Sequence, residues 1–153
     1  MPGRTPEGDA VTDLVLPVFE LAGALERAAA SITEDTEITP AMWKVLGLII
    51  DEPLPVAEIA KRLGHARQSV QRLANLAVEM GAAGWRDNPE HERSHLLVLS
   101  PGGRTLLATL VPRQHAWANA VGSQVGKEEL ESLAKLVDDF LHAIRAATTT
   151  GQD

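Results

Sequence analysis

Apolar residues recur at helical spacing over most of the chain and switch to short alternating runs once, near the middle. The first helical stretch runs from about Asp9 to Ala30, with Val11, Leu14, Val18, Leu21, Leu25 and Ile32 at that spacing. Pro17 falls inside it and predicts a bent helix or two pieces, since Pro in a helix interior costs about 3 kcal/mol. Ser31 to Glu37 reads as an acidic loop. Thr39-Pro40 is a start signal, with Thr as cap and Pro at the first helical position. Met42, Val45, Leu46, Ile49 and Ile50 then face a core, Trp43 lies to the side, and Asp51-Glu52-Pro53 ends the helix.

The next stretch has tighter punctuation. Val56 to Leu63 places Ile59, Ala60 and Leu63 on one helical face, and Gly64 stands where a helix leaves through a left-handed residue. After the short turn Gly64-His65-Ala66, a second helix runs from Arg67 to about Met80 and stops at Gly81. Val70, Leu73, Ala74, Ala77 and Met80 form its apolar stripe. Ala66 stands where a capping Ser or Thr is expected, so a side-chain cap is missing there. The pattern then changes to strand, turn and strand: Ala83–Arg86, Asp87-Asn88-Pro89-Glu90, and His95–Leu99, with His91, Glu92 and Arg93 at the tip. Ser100-Pro101 repeats the cap-plus-Pro signal and opens a long helix carrying Leu106, Leu107, Leu110, Val111, Ala118 and Val121, bent at Pro112. Gly126 to Glu129 opens the last helix, with acids in its first turn. Its broad apolar stripe is Leu130, Leu133, Leu136, Val137, Phe140, Leu141 and Ile144, ending near Ala147. Residues 1–8 and 148–153 read as a disordered arm and tail.

Helix, tight turn, helix and hairpin in that order form a winged helix-turn-helix. The fold class is therefore mainly α with a small β wing. The face of the second helix opposite its apolar stripe carries Gln68, Gln71, Arg72 and Asn75, with Arg67 and Ser69 beside it in the first turn. Arg can bond guanine bidentately, Gln and Asn can bond adenine bidentately, and first-turn N–H groups suit phosphate. The same face also fits a plain solvated surface. The hairpin, with Arg86 and Arg93, is placed to meet backbone or minor groove.

From Ile38 to Leu107 the chain resembles the MarR family of bacterial transcriptional regulators. The wing of that family follows a pattern close to Asp-Pro-x-Asp-Arg-Arg-Ala, then a strand, then Leu-Thr-x-x-Gly. Here it reads Asn88-Pro89-Glu90-His91-Glu92-Arg93-Ser94, then Leu99-Ser100-Pro101-Gly102-Gly103. Arg93 falls on the family's wing Arg, while Glu92 replaces the preceding Arg and His91 replaces the Asp. The resemblance implies a DNA-binding domain over 38–103 and a helical dimerisation region over 9–37 and 104–147. It implies an intertwined homodimer that binds a pseudo-palindromic double-stranded DNA site and acts as a repressor, with two recognition helices about one DNA turn apart. It further implies release by a small aromatic or phenolic effector, for which Phe19, Trp43, His115 and Trp117 are the candidate lining residues. The stripes could instead close a monomeric bundle.

The net charge of −7 is unusual for a DNA binder, but its distribution is uneven. Between Pro55 and Arg104 seven basic residues face five acidic ones, a net of +2, and the rest of the chain carries −9. Such a module should bind DNA modestly per subunit and with strong salt dependence. There is no Cys, which excludes disulfides and thiolate chemistry. No apolar run reaches membrane-span length and no signal-peptide pattern opens the chain, so a cytoplasmic protein without membrane contact is expected.

One further motif invites a different reading. His91-Glu92-Arg93-Ser94-His95 matches H-E-x-x-H, the zinc-peptidase pattern, which works only inside a helix that sets both His on one face. The following Leu96-Leu97-Val98-Leu99-Ser100-Pro101 reads better as strand and stop. No enzyme activity, metal or cofactor is therefore expected. The remaining alternative is a winged-helix protein-interaction module with little DNA binding, which Ala66, Glu92 and the acidic scaffold favour.

Overall fold

The computed structural model describes residues 3–150. In order, the elements are α1 (Pro6–Thr33), α2 (Pro40–Leu48), β1 (Leu54–Pro55), α3 (Val56–Leu63), α4 (Arg67–Glu79), β2 (Ala83–Arg86), β3 (Leu96–Leu99), α5 (Pro101–Ala108), α6 (Val111–Val125) and α7 (Lys127–Thr150). The chain divides into two units, residues 1–111 and 112–153.

Three helices of the first unit start with the same device. Thr5, Thr39 and Ser100 each accept from the backbone N–H three residues on, and each is followed by Pro at the first helical position. That position suits Pro because its missing N–H would have had no helical partner. At Thr5-Pro6 the signal starts α1 earlier than expected, so Pro6, Glu7 and Gly8 are helical rather than part of a disordered arm. Met1 and Pro2 of that arm lie outside the described residues. A backbone N–H and the Thr5 hydroxyl hold the Glu7 carboxyl below the usual carboxylate range. α1 continues without a break through Pro17 and includes Ser31, Ile32 and Thr33, where a loop was expected.

The core lies between α2, α3, α4 and the sheet. Val45, Leu46, Ile59, Val70, Ala74, Ala77 and Leu97 are all fully enclosed. Each larger side chain among them contributes about 1.5–3 kcal/mol by burial. Leu73 is half-buried, and Met80 and Ile50, both expected inside, are exposed. Gly64 ends α3 at φ 65°, a conformation that costs Gly nothing, and lets the chain turn into α4. Ala66 precedes α4 without a side-chain cap, as its type requires.

The hairpin is part of a three-stranded antiparallel sheet in the order β1-β3-β2. The third strand, β1, is two residues long and pairs Leu54 with Leu97 and Pro55 with Leu96. Its brevity and its Pro fit an edge strand. β2 pairs Ala83 with Leu99 and Trp85 with Leu97, so these four side chains share the core-facing side of the sheet.

One seam joins the end of α4 to the start of α5. The Ser100 hydroxyl donates to Gly81 O at 2.5 Å and accepts from Gly103 N at 3.0 Å. Ser100 N donates to Ala82 O at 3.1 Å. The backbones approach so closely that a Cβ on Gly103 would overlap the Ala82 carbonyl oxygen and sit 2.6 Å from Leu99 Cδ1. A Cβ on Gly102 would lie 2.7 Å from Gly81 O.

The helix expected to run on from Ser100 with a bend at Pro112 is instead two helices. Thr109 and Leu110 close α5 with N–H bonds to Leu106 O and Leu107 O, and Leu110 is buried. Pro112 then sits in the first turn of α6, where a proline is tolerated.

In the second unit, α6 passes into α7 at Gly126, whose N–H donates to Gly122 O at 2.9 Å. α7 runs to Thr150, so Thr148 and Thr149 are helical rather than part of a disordered tail, and residues 151–153 lie outside the described ones. Its expected stripe is open: Leu133, Leu136, Val137, Leu141 and Ile144 are exposed, Leu136 at 64%.

Gly103→Ala is expected to lower stability by about 1–3 kcal/mol, because neither the Ala82 carbonyl nor Leu99 can withdraw without moving the sheet. Urea unfolding checks this, and an unchanged midpoint would show that the seam yields at no cost.

Candidate nucleic-acid interface

α4 exposes Arg67, Gln68, Ser69, Gln71, Arg72 and Asn75 while burying Val70, Ala74 and Ala77. At about 100° per residue, Arg67, Gln71, Asn75 and Gln68 occupy one quadrant of the helix. The structure brings these four together with Arg93 of the wing along one groove of about 820 Å³. Trp85, Asp87, Ser94 and His95 complete its far wall, and Val56 and Ala57 close the end beside α3. Arg72 lies about 40° beyond Gln68 on the wheel and Ser69 further still, so both are on α4 but outside the groove. Arg86 is exposed on the wing and also outside it.

The cations of this face are unpaired. Among the described residues, none of Arg67, Arg72, Arg86 and Arg93 lies in an ion pair. Arg62, by contrast, bridges Glu58 at 3.1 Å and Glu52 at 3.5 Å, and Arg104 donates to Ile50 O at 3.2 Å. Arg62 and Arg104 are thus committed to protein partners, and the arginines of α4 and the wing are not. Asp87 is the carboxylate that lines the groove, 3.6 Å from His95 Nδ1, a pair that carries opposite charges only when His95 is protonated. Gln71 Nε2 donates to Asn75 Oδ1 at 3.1 Å, one turn along α4. The bond does not use the Gln71 carbonyl or the Asn75 amide nitrogen.

Trp85 was not expected in the site. Its strand was legible, but its position on the core-facing side follows from pairing with Leu97, which a single strand does not disclose. It is 39% exposed and gives the groove an apolar wall.

The wing tip excludes the zinc motif. His91 to His95 is turn backbone, with Ser94 N bonded to His91 O at 3.1 Å, so its two His lack helical spacing. No cluster of three or more His, Asp or Glu side chains suited to a metal ion occurs among the described residues. None of their helices is long and apolar enough to cross a membrane.

The candidate effector residues are divided between the two units. Phe19 is 69% exposed in a shallow groove along α1 whose lining does not include Trp43, itself half-buried on α2. His115 and Trp117 belong to α6 in the second unit, His115 exposed and Trp117 half-buried.

Comparison with known proteins agrees with this architecture. A family model described as the MarR family matches residues 36–94, the span from the loop before α2 to the wing. An uncharacterized protein of Mycobacterium tuberculosis is 36% identical over 138 residues, covering 90% of this chain and 96% of its own. NadR in complex with 4-hydroxyphenylacetate superposes with a TM-score of 0.77 at 17% identity, covering 92% of this chain and 97% of that one. Mutant MarR from E. coli complexed with operator DNA gives 0.66 at 20% identity, covering 87% and 96%. With its winged helix, its wing sequence and a relative matched over nearly its full length, the chain belongs to the MarR family.

Proposed function

We propose that this protein is a sequence-specific transcriptional regulator that binds double-stranded DNA as a homodimer and represses. The observation that carries the reading is the groove in which Arg67, Gln68, Gln71 and Asn75 of α4 face Arg93 of the wing. Arg67 and Arg93 need break no ion pair to meet DNA, and Gln71 and Asn75 are bonded to each other at 3.1 Å. In this reading α4 enters the major groove, with its amides and Arg67 on base edges. Arg72 and Ser69 lie at the margin toward the phosphates, and Arg86 and Arg93 meet the backbone or minor groove. The E. coli MarR that shares this fold is complexed with operator DNA, which supports DNA as the partner.

The homodimer rests on the open apolar faces. Val11, Leu14, Val18, Leu21 and Leu25 of α1 are exposed in the first unit, and the α7 stripe is exposed in the second. Residues 9–37 and 104–147 are proposed to supply the dimer contacts. α5 (Pro101–Ala108), whose last five residues fall in the second of these ranges, also packs on the winged helix through the Ser100 seam. A protein that acts on chromosomal DNA works in the cytoplasm. No residue of the site is arranged for catalysis in this reading.

A small aromatic or phenolic effector is proposed to release the DNA, with Phe19, Trp43, His115 and Trp117 as candidate lining residues. The bound 4-hydroxyphenylacetate of NadR supports the ligand class. Phenolic acids titrated into the protein–DNA complex should raise the dissociation constant for DNA. A compound that binds tightly, by tryptophan fluorescence, and leaves DNA affinity unchanged would contradict its role as effector.

Alanine variants test the DNA face. Arg67→Ala should weaken binding to a selected duplex by about 1–3 kcal/mol and relax preference at one base pair. Arg93→Ala should weaken all duplexes alike and reduce the salt slope by about one. Fluorescence anisotropy over a salt series reads both. Unchanged affinity in both variants would favour the protein-interaction alternative.

A further inference from the structure

α2 stands between the DNA module and the helices proposed for dimerisation, in contact with α1, α3, α4 and α5. Met42, Val45 and Leu46 bury its inner face. Apolar packing of this kind has no direction, so by itself it lets a helix pivot on its neighbours. Two directional bonds hold α2 from outside the module. Lys44 Nζ, midway along the helix, lies 2.5 Å from Glu26 Oε1 of α1. Roughly two turns further on, just past the end of α2, Ile50 O accepts from Arg104 Nη2 of α5 at 3.2 Å. Glu26 and Arg104 both belong to the ranges proposed for the dimer contacts, one before the module in sequence and one after it.

We propose that Glu26, Lys44 and Arg104 are positioning residues that fix the angle of the winged helix on the dimer helices, and so set the half-site spacing that the homodimer accepts. The proposal rests on the reading above, a homodimer that binds DNA, and adds a determinant of specificity to it. None of the three residues lines the groove between α4 and the wing. They act through α2, which packs on α4, so the recognition helix turns with it. One bond would leave α2 able to swing about that point. Two bonds from two different helices, at separate points along α2, remove the swing. A two-fold dimer that reads two major grooves about one DNA turn apart needs this angle held. Adding or removing one base pair moves a half-site by about 3.4 Å and turns it by about 35°. To follow it, one subunit must break its two bonds.

The test uses the full chain, a duplex recovered by selection, and two altered duplexes with one base pair added or removed between the half-sites. Fluorescence anisotropy reads the affinities. An exposed polar bond contributes about threefold, so breaking both bonds in one subunit should weaken wild type about tenfold on either altered duplex. Lys44→Met, Glu26→Gln and Arg104→Met should each bind the altered duplexes about threefold tighter than wild type does, and the original duplex within about twofold of it. Lys44→Met combined with Arg104→Met should bring the three duplexes nearly level. Tighter binding to altered sites separates positioning from lost stability, which would weaken all three duplexes together. Glu26 and Arg104 are exposed and Lys44 is half-buried, so the variants should fold, which circular dichroism confirms. A spacing penalty that stays at the wild-type level in the double variant would overturn the positioning role and leave the DNA-binding reading intact. Equal wild-type affinity for the three duplexes would do the same. Absence of wild-type binding to any duplex would overturn both.

Discussion

The surface shared by α4 and the wing depends on one close approach of backbones. α4 and the wing can present a common surface only if the chain leaving α4 is held in place while the hairpin is built and closed. Ser100 does this with three bonds, to Gly81 O, to Gly103 N and, through its own N–H, to Ala82 O. Gly102 and Gly103 make the approach possible because no Cβ fits between the two segments. The same residue that caps α5 therefore also fixes the chain leaving α4. Strand pairing completes the arrangement, since β3 is the central strand and ties both β1 and β2 to the core through Leu97.

Electrostatics then separate the chain into roles. The protein is acidic overall, and its basic side chains are not spread evenly over partners. Arg62 and Lys44 are paired with carboxylates and Arg104 with a carbonyl. Those on α4 and the wing stay free. A net charge of −7 is thus compatible with a local anion-binding face, and it limits non-specific attraction to DNA. Affinity must then come from close, oriented contacts, which the amide-rich face of α4 is suited to give.

Much of this was legible in the sequence because helices announce themselves by period and punctuation. Thr39-Pro40, Ser100-Pro101, Gly64 and the stripe of α4 located the helix-turn-helix, and the polar face followed from the same spacing. The turn chemistry of Asp87-Asn88-Pro89-Glu90 between two short runs located the hairpin. What was missed lacked a periodic signal. β1 is two residues long and includes Pro55, so only its partner Leu97 reveals it. The break at Thr109-Leu110 depends on burial of Leu110, which sequence alone presents as one more apolar residue in a long stripe. Thr5-Pro6 carried the right signal and was hidden by a Pro- and Gly-bearing neighbourhood. In the site, the union of α4 with Arg93 and Trp85 is a tertiary fact: strand register decides it, and neither segment contains it.

The central claim is that α4 and the wing read a particular DNA sequence. The most direct measurement is anisotropy at two salt concentrations, comparing a scrambled duplex with the DNA upstream of the protein's own gene or a duplex recovered from a random library. The account predicts specific binding at least about a thousandfold tighter than to the scrambled duplex, weakening steeply as salt rises. Weak binding that is equal on both duplexes, with no sequence enriched by selection, would contradict it.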